Sequence, residues 1–451
     1  MDPARPKALV HLRSLGCPKN TVDSEVMLGA LALGGYAIAE RLEDADVAIV
    51  NTCSFIESAR VESIGAILEV TDLREDGRLR GVVVTGCLPQ RYGHELAREL
   101  PEVDAFVGTG DYPQIAKILD DALTGHSRGV YIEGGTYLHR EQDPRLLIGP
   151  RHSAYLKVAE GCDRICAFCA IPGIRGKFQS RPVDSLVREA EQLAREGVRE
   201  LNVISQDTTS YGKDLTGRPH IPELLRALDG VEGLEWIRAM YLYPAALGDE
   251  LIETLAKGRR LLPYVDVPLQ HASDRILRAM KRGVTAARQT RLVERLRAQL
   301  PGAVLRTTFI VGFPGETEED FRELCDFVRS CRFDRLGVFR YSDEEGTGAF
   351  EHSSKVPREV AQERHRELMG IQRGIMRELL EAQVGSDVQV LVDQTGPGGA
   401  TGRLWSQAPE IDGQVLLRGG GAAGELVDAR ITGVLDVDLE AVCSAASAGT
   451  G

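Results

Sequence analysis

The 451-residue sequence predicts an α/β fold in three parts: an N-terminal doubly wound parallel sheet, a central partial (β/α)6 barrel, and a small antiparallel β-barrel at the C-terminus. Three observations predict it. Residues 7–123 and 151–376 each alternate short apolar runs with amphipathic helical stretches, and from Val384 the pattern turns to strand-like alternation broken by glycine-rich turns. Between the two alternating regions, residues 124–150 hold Gly, His and Pro with little periodicity and read as a linker. The C-terminal barrel is bounded at 377–441, and 442–451, small and polar, reads as a flexible tail. A chain of this length exceeds one hydrophobic core, in keeping with about three domains.

Composition narrows the class. Hydrophobic content of 43% and charged content of 27% are those of a soluble globular protein. The start, Met1-Asp-Pro-Ala-Arg-Pro-Lys-Ala-Leu-Val, carries no apolar signal region, and no apolar stretch is long enough to span a bilayer, so a cytoplasmic protein with no membrane partner is expected. The formal charge of -13 opposes broad, nonspecific attraction to nucleic acid. Nine cysteines in a reducing compartment point to metal or catalysis before disulfides. Six fall in two groups of three, leaving Cys325, Cys331 and Cys443 as ordinary thiols.

In the first region the strand candidates are 8–12, 46–50, 81–84 and 104–107, with amphipathic stretches such as 23–33, closed by Gly34-Gly35. Cys17, Cys53 and Cys87 follow three of these strands, 36 and 34 residues apart, about one βαβ repeat each. Parallel strands bring their C-terminal ends to one edge, so three cysteines distant in sequence should meet there. Helices expected near Asp23, Ser54 and Pro89 would favour an anionic thiolate-ligated cluster by about 0.3–1 kcal/mol each. Any one of these cysteines alone reads as a small buried residue; as a set at equivalent strand ends they predict a three-cysteine cluster.

The second region has strand candidates at 154–158, 200–204, 236–241, 264–267, 305–311 and 335–341, with helical stretches such as 184–196 between several of them. Directly after the first comes Cys162-Asp-Arg-Ile-Cys166-Ala-Phe-Cys169. Three thiolates spaced by three and two residues can close on one face of a loop, which suits a cuboidal four-iron, four-sulfur cluster with one iron left open. Zinc is the alternative, but it asks for a fourth Cys or His, and His152 and His220 fit no zinc-ligand spacing. Two further polar segments follow strands: Ser205-Gln206-Asp207-Thr208-Thr209-Ser210-Tyr211-Gly212, alternatively a plain turn, and Pro268-Leu-Gln270-His271-Ala-Ser273-Asp274, in which His271 is alternatively structural. Functional groups collect at the C-terminal ends of barrel strands, where both lie. Residues 359–381, with mixed charges, read as a solvated connecting helix.

The last region has strand candidates at 388–392, 400–405, 414–417 and 426–434. Over 384–440 it carries nine acidic residues against Arg403, Arg418 and Arg430, a balance of -6.

Several of these motifs carry a resemblance. The C-x3-C-x2-C spacing resembles the radical S-adenosylmethionine (SAM) enzymes, in which the amine and carboxylate of SAM chelate the open iron and reduction yields a 5'-deoxyadenosyl radical. Gly16-Cys17-Pro18-Lys19-Asn20, Val22-Asp23-Ser24-Glu25, Asn51-Thr52-Cys53-Ser54-Phe55-Ile56, Glu160-Gly161-Cys162 and Ile171-Pro172-Gly173-Ile174-Arg175-Gly176 are similar to the methylthiotransferase family of these enzymes. The Gly-Cys-Pro-Lys-Asn form resembles the branch that modifies an aspartate of the twelfth small-subunit ribosomal protein; the transfer-RNA branch usually has Gly-Cys-Gln-Met-Asn. The resemblance runs from about residue 8 to 440.

It implies two 4Fe-4S clusters, a radical SAM cluster on Cys162, Cys166 and Cys169 and an auxiliary cluster on Cys17, Cys53 and Cys87 that holds or donates sulfur. SAM would be both methyl donor and radical source, with Phe168, Gln206 and Asp207 in its vicinity. Relatives often have Gly at Thr308, so the following Gly-Phe-Pro-Gly-Glu segment is left without assigned roles. The C-terminal barrel looks like a TRAM domain, a module that binds RNA in transfer-RNA enzymes. Its acidity disfavours RNA contact and suits a basic ribosomal protein, free or in the small subunit; solubility is the plainer explanation. A flavodoxin or ferredoxin type donor would reduce the cluster. An open barrel would leave room for a protein loop to enter from the side. Two rivals remain: methylthiolation of adenosine in transfer RNA, and a nonenzymatic iron-sulfur scaffold or electron carrier.

Overall fold

The structure, a computed structural model, describes residues 6–125 and 129–444. Met1 to Arg5 and the end of the expected tail, 445–451, lie outside the described residues, as do 126–128 of the expected linker.

The N-terminal domain is a six-stranded, wholly parallel sheet: β1 (Leu9–Ser14), β2 (Ala37–Ile38), β3 (Val47–Thr52), β4 (Gly81–Gly86), β5 (Ala105–Val107) and β6 (Gly129–Tyr131), in the order β2-β1-β3-β4-β5-β6. Every residue of β3 and β4 is buried, as expected of parallel strands covered on both faces. Helices α1 (Pro18–Leu33) and α4 (Ile115–Leu123) cover one face through Val26, Met27, Leu31, Ile115 and Leu119. On the other face α2 (Glu57–Glu75) and α3 (Cys87–Glu99) pack through Ile67, Val70 and Leu88. The winding direction reverses between β1 and β3, the switch point at which such sheets hold ligands.

The expected linker needs correction at one place. Gly129–Tyr131 joins the sheet edge as β6, too short for periodicity to reveal. The stretch after it is anchored through Arg145, which donates to Glu25 (2.8 Å), Glu189 (2.7 Å) and the carbonyl of Tyr155 (2.7 Å).

The central barrel is built from β7 (Ser153–Lys157), β10 (Glu200–Ile204), β11 (Trp236–Ala239), β12 (Tyr264–Asp266), β13 (Val304–Val311) and β14 (Arg335–Arg340). They form two parallel sheets, β11-β10-β7 and β12-β13-β14, joined by a bridge between Ile237 and Leu261. Among the described residues β7 and β14 do not pair, so the barrel is open. A small antiparallel ladder, β8 (Ala159–Glu160) with β9 (Gln179–Ser180), brackets the cysteine loop and the short helix α5 (Ile171–Arg175).

The N-terminal domain is bonded to both sides of the gap between β7 and β14. On one side Lys157 pairs with Asp23. On the other, Arg60 and Arg91 (2.6 Å) converge on the buried Glu344, just beyond β14. The side entry anticipated for an open barrel therefore has a second domain fastened across it.

A 24-residue helix, Arg358–Glu381, leads to the C-terminal barrel. This is closed, in the order β15-β16-β17-β19-β18, from β15 (Asp387–Gly396), β16 (Gly399–Arg403), β17 (Val415–Arg418), β18 (Leu426–Leu435) and β19 (Asp438–Cys443). One pair departs from the expected antiparallel pattern: β19 inserts between β17 and β18 and runs parallel to β17. The expected tail is corrected too, since β19 extends to Cys443, whose thiol meets the carbonyl of Gly420 at 3.1 Å.

This small barrel seals the N-terminal ends of the central strands. Glu200, which opens β10, accepts from Arg238 (3.0 Å) and pairs with Arg403 (2.7 Å) of β16. Arg238 also donates to the carbonyls of Trp405 and Gln407. Tyr155, Ile204, Trp236, Tyr264 and Val304 fill the interior, meeting Leu391 and Ala408 from the C-terminal barrel and Val22 from α1.

Candidate metal centres

The first triad is made by turns. Gly16, at a φ of +97°, brings the chain into Cys17, the N-cap of α1, and Pro18 starts the helix with its φ already set. A Cβ on Gly16 would lie 2.8 Å from the Cβ of Cys53 and 3.3 Å from its Sγ, so the loops after β1 and β3 are in direct contact. Cys87 is the first residue of α3, and its thiol lies 3.7 Å from Asn20 Oδ1. Asn20 Nδ2 in turn donates to the carbonyls of Leu15 (3.0 Å) and Thr52 (2.9 Å), stitching the three loops together. The helices begin nearer the cysteines than their hydrophobic periodicity suggests, at Pro18 and Cys87 instead of Asp23 and Pro89; α2 starts at Glu57, not Ser54.

The second triad lies on the loop between β8 and α5. Gly161 at φ +77° lets this loop fold against its own return: a Cβ there would meet the carbonyl of Lys177 at 2.2 Å. The Cys162 N–H then donates to the carbonyl of Gly176 (3.1 Å). Sulfur-directed donors surround the loop. Arg164 N–H reaches Cys162 Sγ at 3.4 Å, and Arg282 Nη1 reaches Cys166 Sγ at 3.4 Å. The loop opens on a cavity of about 550 Å3 lined by all three cysteines with Arg164, Lys281 and Glu345.

Burial dominates the thiol chemistry. It pushes Cys53 up to about 12, helped by Cys87 and Cys17, and Cys169 up to about 12 and Cys162 up to about 11. Cys87 is raised by burial while Arg175 works against it. Thiols so placed stay neutral unless a positive centre binds them, and the arginines aimed at sulfur then favour the thiolate. Among the described residues, no three His, Cys, Asp or Glu side chains converge as ligands of a single metal ion. A cubane takes its thiolates at separate corners, and two sets of three cysteines with cationic donors fit such a group.

Between the triads runs a buried ion network. Arg175, at the end of α5, donates to Cys87 Sγ (3.6 Å), Asn20 Oδ1 (2.5 Å) and Glu160 (3.0 Å), and pairs with Asp23 (2.9 Å). Glu160, two residues before Cys162, also accepts from Lys157 (2.9 Å) and Gln206 (2.6 Å). Burial would raise its carboxyl, but Arg175 and Lys157 hold it down to about 2.

The other expected site residues divide. Gln206 bonds to Glu160, and its Oε1 is buried without a partner. Asp207 accepts from Arg164 (2.6 Å), Thr209 (2.5 Å) and Ser210 (2.7 Å), so it holds the cysteine loop. Phe168 packs with Ile276, Met280 and Phe313. His271 is fully buried, its Nδ1 accepts from Ser273 N–H (3.0 Å), and burial pulls it down to about 3, the state of a neutral structural imidazole. Sequence reasoning missed Lys19, Arg175 and Arg282 as site residues; the first two lie inside quoted motifs, while Arg282 carries no local signal.

Lys19 follows Cys17 by two residues and is buried, its Nζ 2.8 Å from the centroid of the Tyr241 ring. Tyr241 takes a φ of +61°, costly for an aromatic residue, and is held there by its N–H on Asp266 (2.9 Å) and its carbonyl accepting from Thr208 (3.1 Å).

Comparison with known proteins gives three family matches: the Radical SAM superfamily over residues 156–328, the uncharacterized protein family UPF0004 over 9–108, and a TRAM domain over 384–443. Among curated relatives, a ribosomal protein uS12 methylthiotransferase RimO from Myxococcus xanthus is 48% identical, covering 98% of this chain and 92% of that one. The protein of the same name from Geobacter sulfurreducens is 48% identical over 96% of this chain and 98% of its own. That from Desulforamulus reducens is 46% identical over 95% and 98%. Among solved structures, the radical SAM methyltransferase TsrM from Kitasatospora setae, with cobalamin and a [4Fe-4S] cluster bound, superposes with a TM-score of 0.55 at 18% identity, covering 91% of this chain and 82% of that one. That likeness is one of fold. No helix among the described residues is long and apolar enough to cross a membrane.

Proposed function

We propose, from the premise that this chain belongs to the ribosomal protein uS12 methylthiotransferase family, that it adds a methylthio group to the β-carbon of an aspartate in uS12, the twelfth small-subunit ribosomal protein. It is a radical SAM enzyme. In this reading Cys162, Cys166 and Cys169 hold the cluster that binds SAM, and Cys17, Cys53 and Cys87 hold an auxiliary 4Fe-4S cluster that carries the sulfur. The chemical demand is the removal of hydrogen from an unactivated C–H bond, which ordinary general bases cannot meet. A three-cysteine cluster with SAM on its open iron supplies one-electron chemistry of the required kind.

The observation that carries the reading is the pairing of two cysteine triads through Arg175, which donates to Cys87 and to Glu160 beside the second triad. The protein's own groups have separable tasks. The Arg282 guanidinium directs positive charge at the sulfur of Cys166, and the Arg164 backbone N–H donates to that of Cys162. Asp207 fixes the Arg164 side chain. Gln206 presents a free buried carbonyl oxygen beside the loop, suited to a donor group of bound SAM. SAM as both methyl donor and radical source, and an external flavodoxin or ferredoxin type reductant, complete the reading.

RNA is disfavoured by charge. Asp393, Asp412 and Arg403 of the C-terminal barrel turn into its interface, and the barrel's other charges comprise seven acids against Arg418 and Arg430. Such a barrel repels phosphate and suits a basic protein. The test is mass spectrometry of uS12 and bulk transfer RNA after anaerobic incubation of the reconstituted protein with SAM and a reductant. A methylthio increment on a uS12 aspartate is the expected result; the same group on adenosine, with uS12 unchanged, would reject the reading.

A further inference from the structure

Several buried charges meet where the N-terminal domain sits over the mouth of the central barrel, and all but one are paired. Glu160 is shared by Lys157, Arg175 and Gln206; Asp23 by Lys157 and Arg175. Asp266, which ends β12, accepts from Arg306 (2.8 Å) and the Tyr241 N–H (2.9 Å). The exception is Lys19. Lys19 is 6% exposed, and among the described residues it makes neither a hydrogen bond nor an ion pair, its charge being favoured only through space by Cys17, Asp266 and Glu160. Its ammonium rests on the face of Tyr241, a residue held in a left-handed conformation immediately beyond β11.

A buried ammonium without an anion is costly, and a ring face offsets only part of that cost. Strained backbone just beyond the C-terminal end of β11, with a buried cation on its ring face that has no hydrogen-bond or ion-pair partner, is an arrangement that a bound anion would complete. Position narrows which one. Cys17 is the acidic group that most favours the Lys19 charge, which puts a carboxylate held by this ammonium on the side of the first triad.

We propose that Lys19 anchors the side-chain carboxylate of the substrate aspartate, presenting the adjacent β-carbon to the Cys17, Cys53 and Cys87 triad. This rests on the uS12 reading above. Lys19 is a specificity residue: it distinguishes an aspartate from its neutral isostere. The other carboxylate in the system, that of SAM, could reach the same ammonium, and the experiment separates the two.

The full chain, reconstituted anaerobically with iron and sulfide, is titrated with isolated uS12 carrying either its target aspartate or asparagine at that position. The unaltered chain is expected to bind the aspartate form about tenfold more tightly, the scale of one charge-assisted hydrogen bond. Lys19→Met, an apolar replacement of similar length suited to a buried position, is expected to bind both forms equally, and Lys19→Arg to recover most of the preference. SAM affinity is measured on the same three proteins. A preference that survives in Lys19→Met overturns the inference. A fall in SAM affinity with the uS12 preference intact assigns the ammonium to the SAM carboxylate and overturns it equally. Failure of the unaltered chain to bind uS12 in either form would remove the substrate reading and the inference with it.

Discussion

At the scale of the residue, the six cysteines differ in what their loss should do. Cys162→Ala is expected to abolish reductive SAM cleavage, followed by chromatography of the nucleoside product. Cys53→Ala should keep that cleavage and lose methylthio transfer, followed by mass spectrometry of uS12. Retained transfer in either variant would contradict the assignment. Gly16 offers a subtler test: an alanine there needs a φ of +97° and puts a methyl 2.8 Å from the Cys53 Cβ. Gly16→Ala should lose iron and sulfide from the first triad while the second keeps its own, seen as a partial fall in bound iron. The meeting of the cysteines was legible because parallel strands bring their C-terminal ends to one edge and because a short loop keeps its own three together. Lys19 and Arg175 were not, since a lysine or arginine in sequence looks alike whether it ends in water or beneath a tyrosine ring.

At the scale of the element, period and length decided what could be read. All six barrel strands were visible as short runs rich in apolar residues, several of them followed by helical patterns. The strands Ala37–Ile38 and Gly129–Tyr131 escaped, because two or three residues carry no period and exist only by pairing to a sheet edge. The mixed pairing of β19 was equally hidden, since alternation reports a strand but not its neighbour. The contact between the two barrels yields a test. Glu200 is fully buried between Arg238 and Arg403. Glu200→Ala leaves the buried Arg238 without a carboxylate and Arg403 with Asp393 alone, which costs about 3–5 kcal/mol. A lower melting temperature and earlier proteolytic release of the C-terminal barrel are the expected signs.

At the scale of the whole molecule, three domains are joined by buried charge, and acid should part them. Glu160 is held down to about 2 by Arg175 and Lys157 against its burial, and Glu189 is held well below the usual range, chiefly by Arg181 against its burial. Carboxyls depressed in the fold add stability that is present above their unfolded value, about 4.3, and lost as pH falls through that value towards the folded one. Melting temperature should therefore drop steeply between about pH 4.5 and 2, and Glu160→Gln should flatten part of that drop. Neutralising Asp428, Asp436 and Asp438 on the C-terminal barrel should weaken uS12 binding and reduce its salt dependence, checked by titration at two ionic strengths. The place of that barrel has a consequence for substrate length. It stoppers the end of the central strands opposite the cysteines, and a five-residue strand spans roughly 17 Å. A partner that touched both its acidic face and Lys19 would have to reach along the outside of the barrel, as between the jaws of a caliper. A folded ribosomal protein can fill both jaws, and a short excised peptide can fill only one.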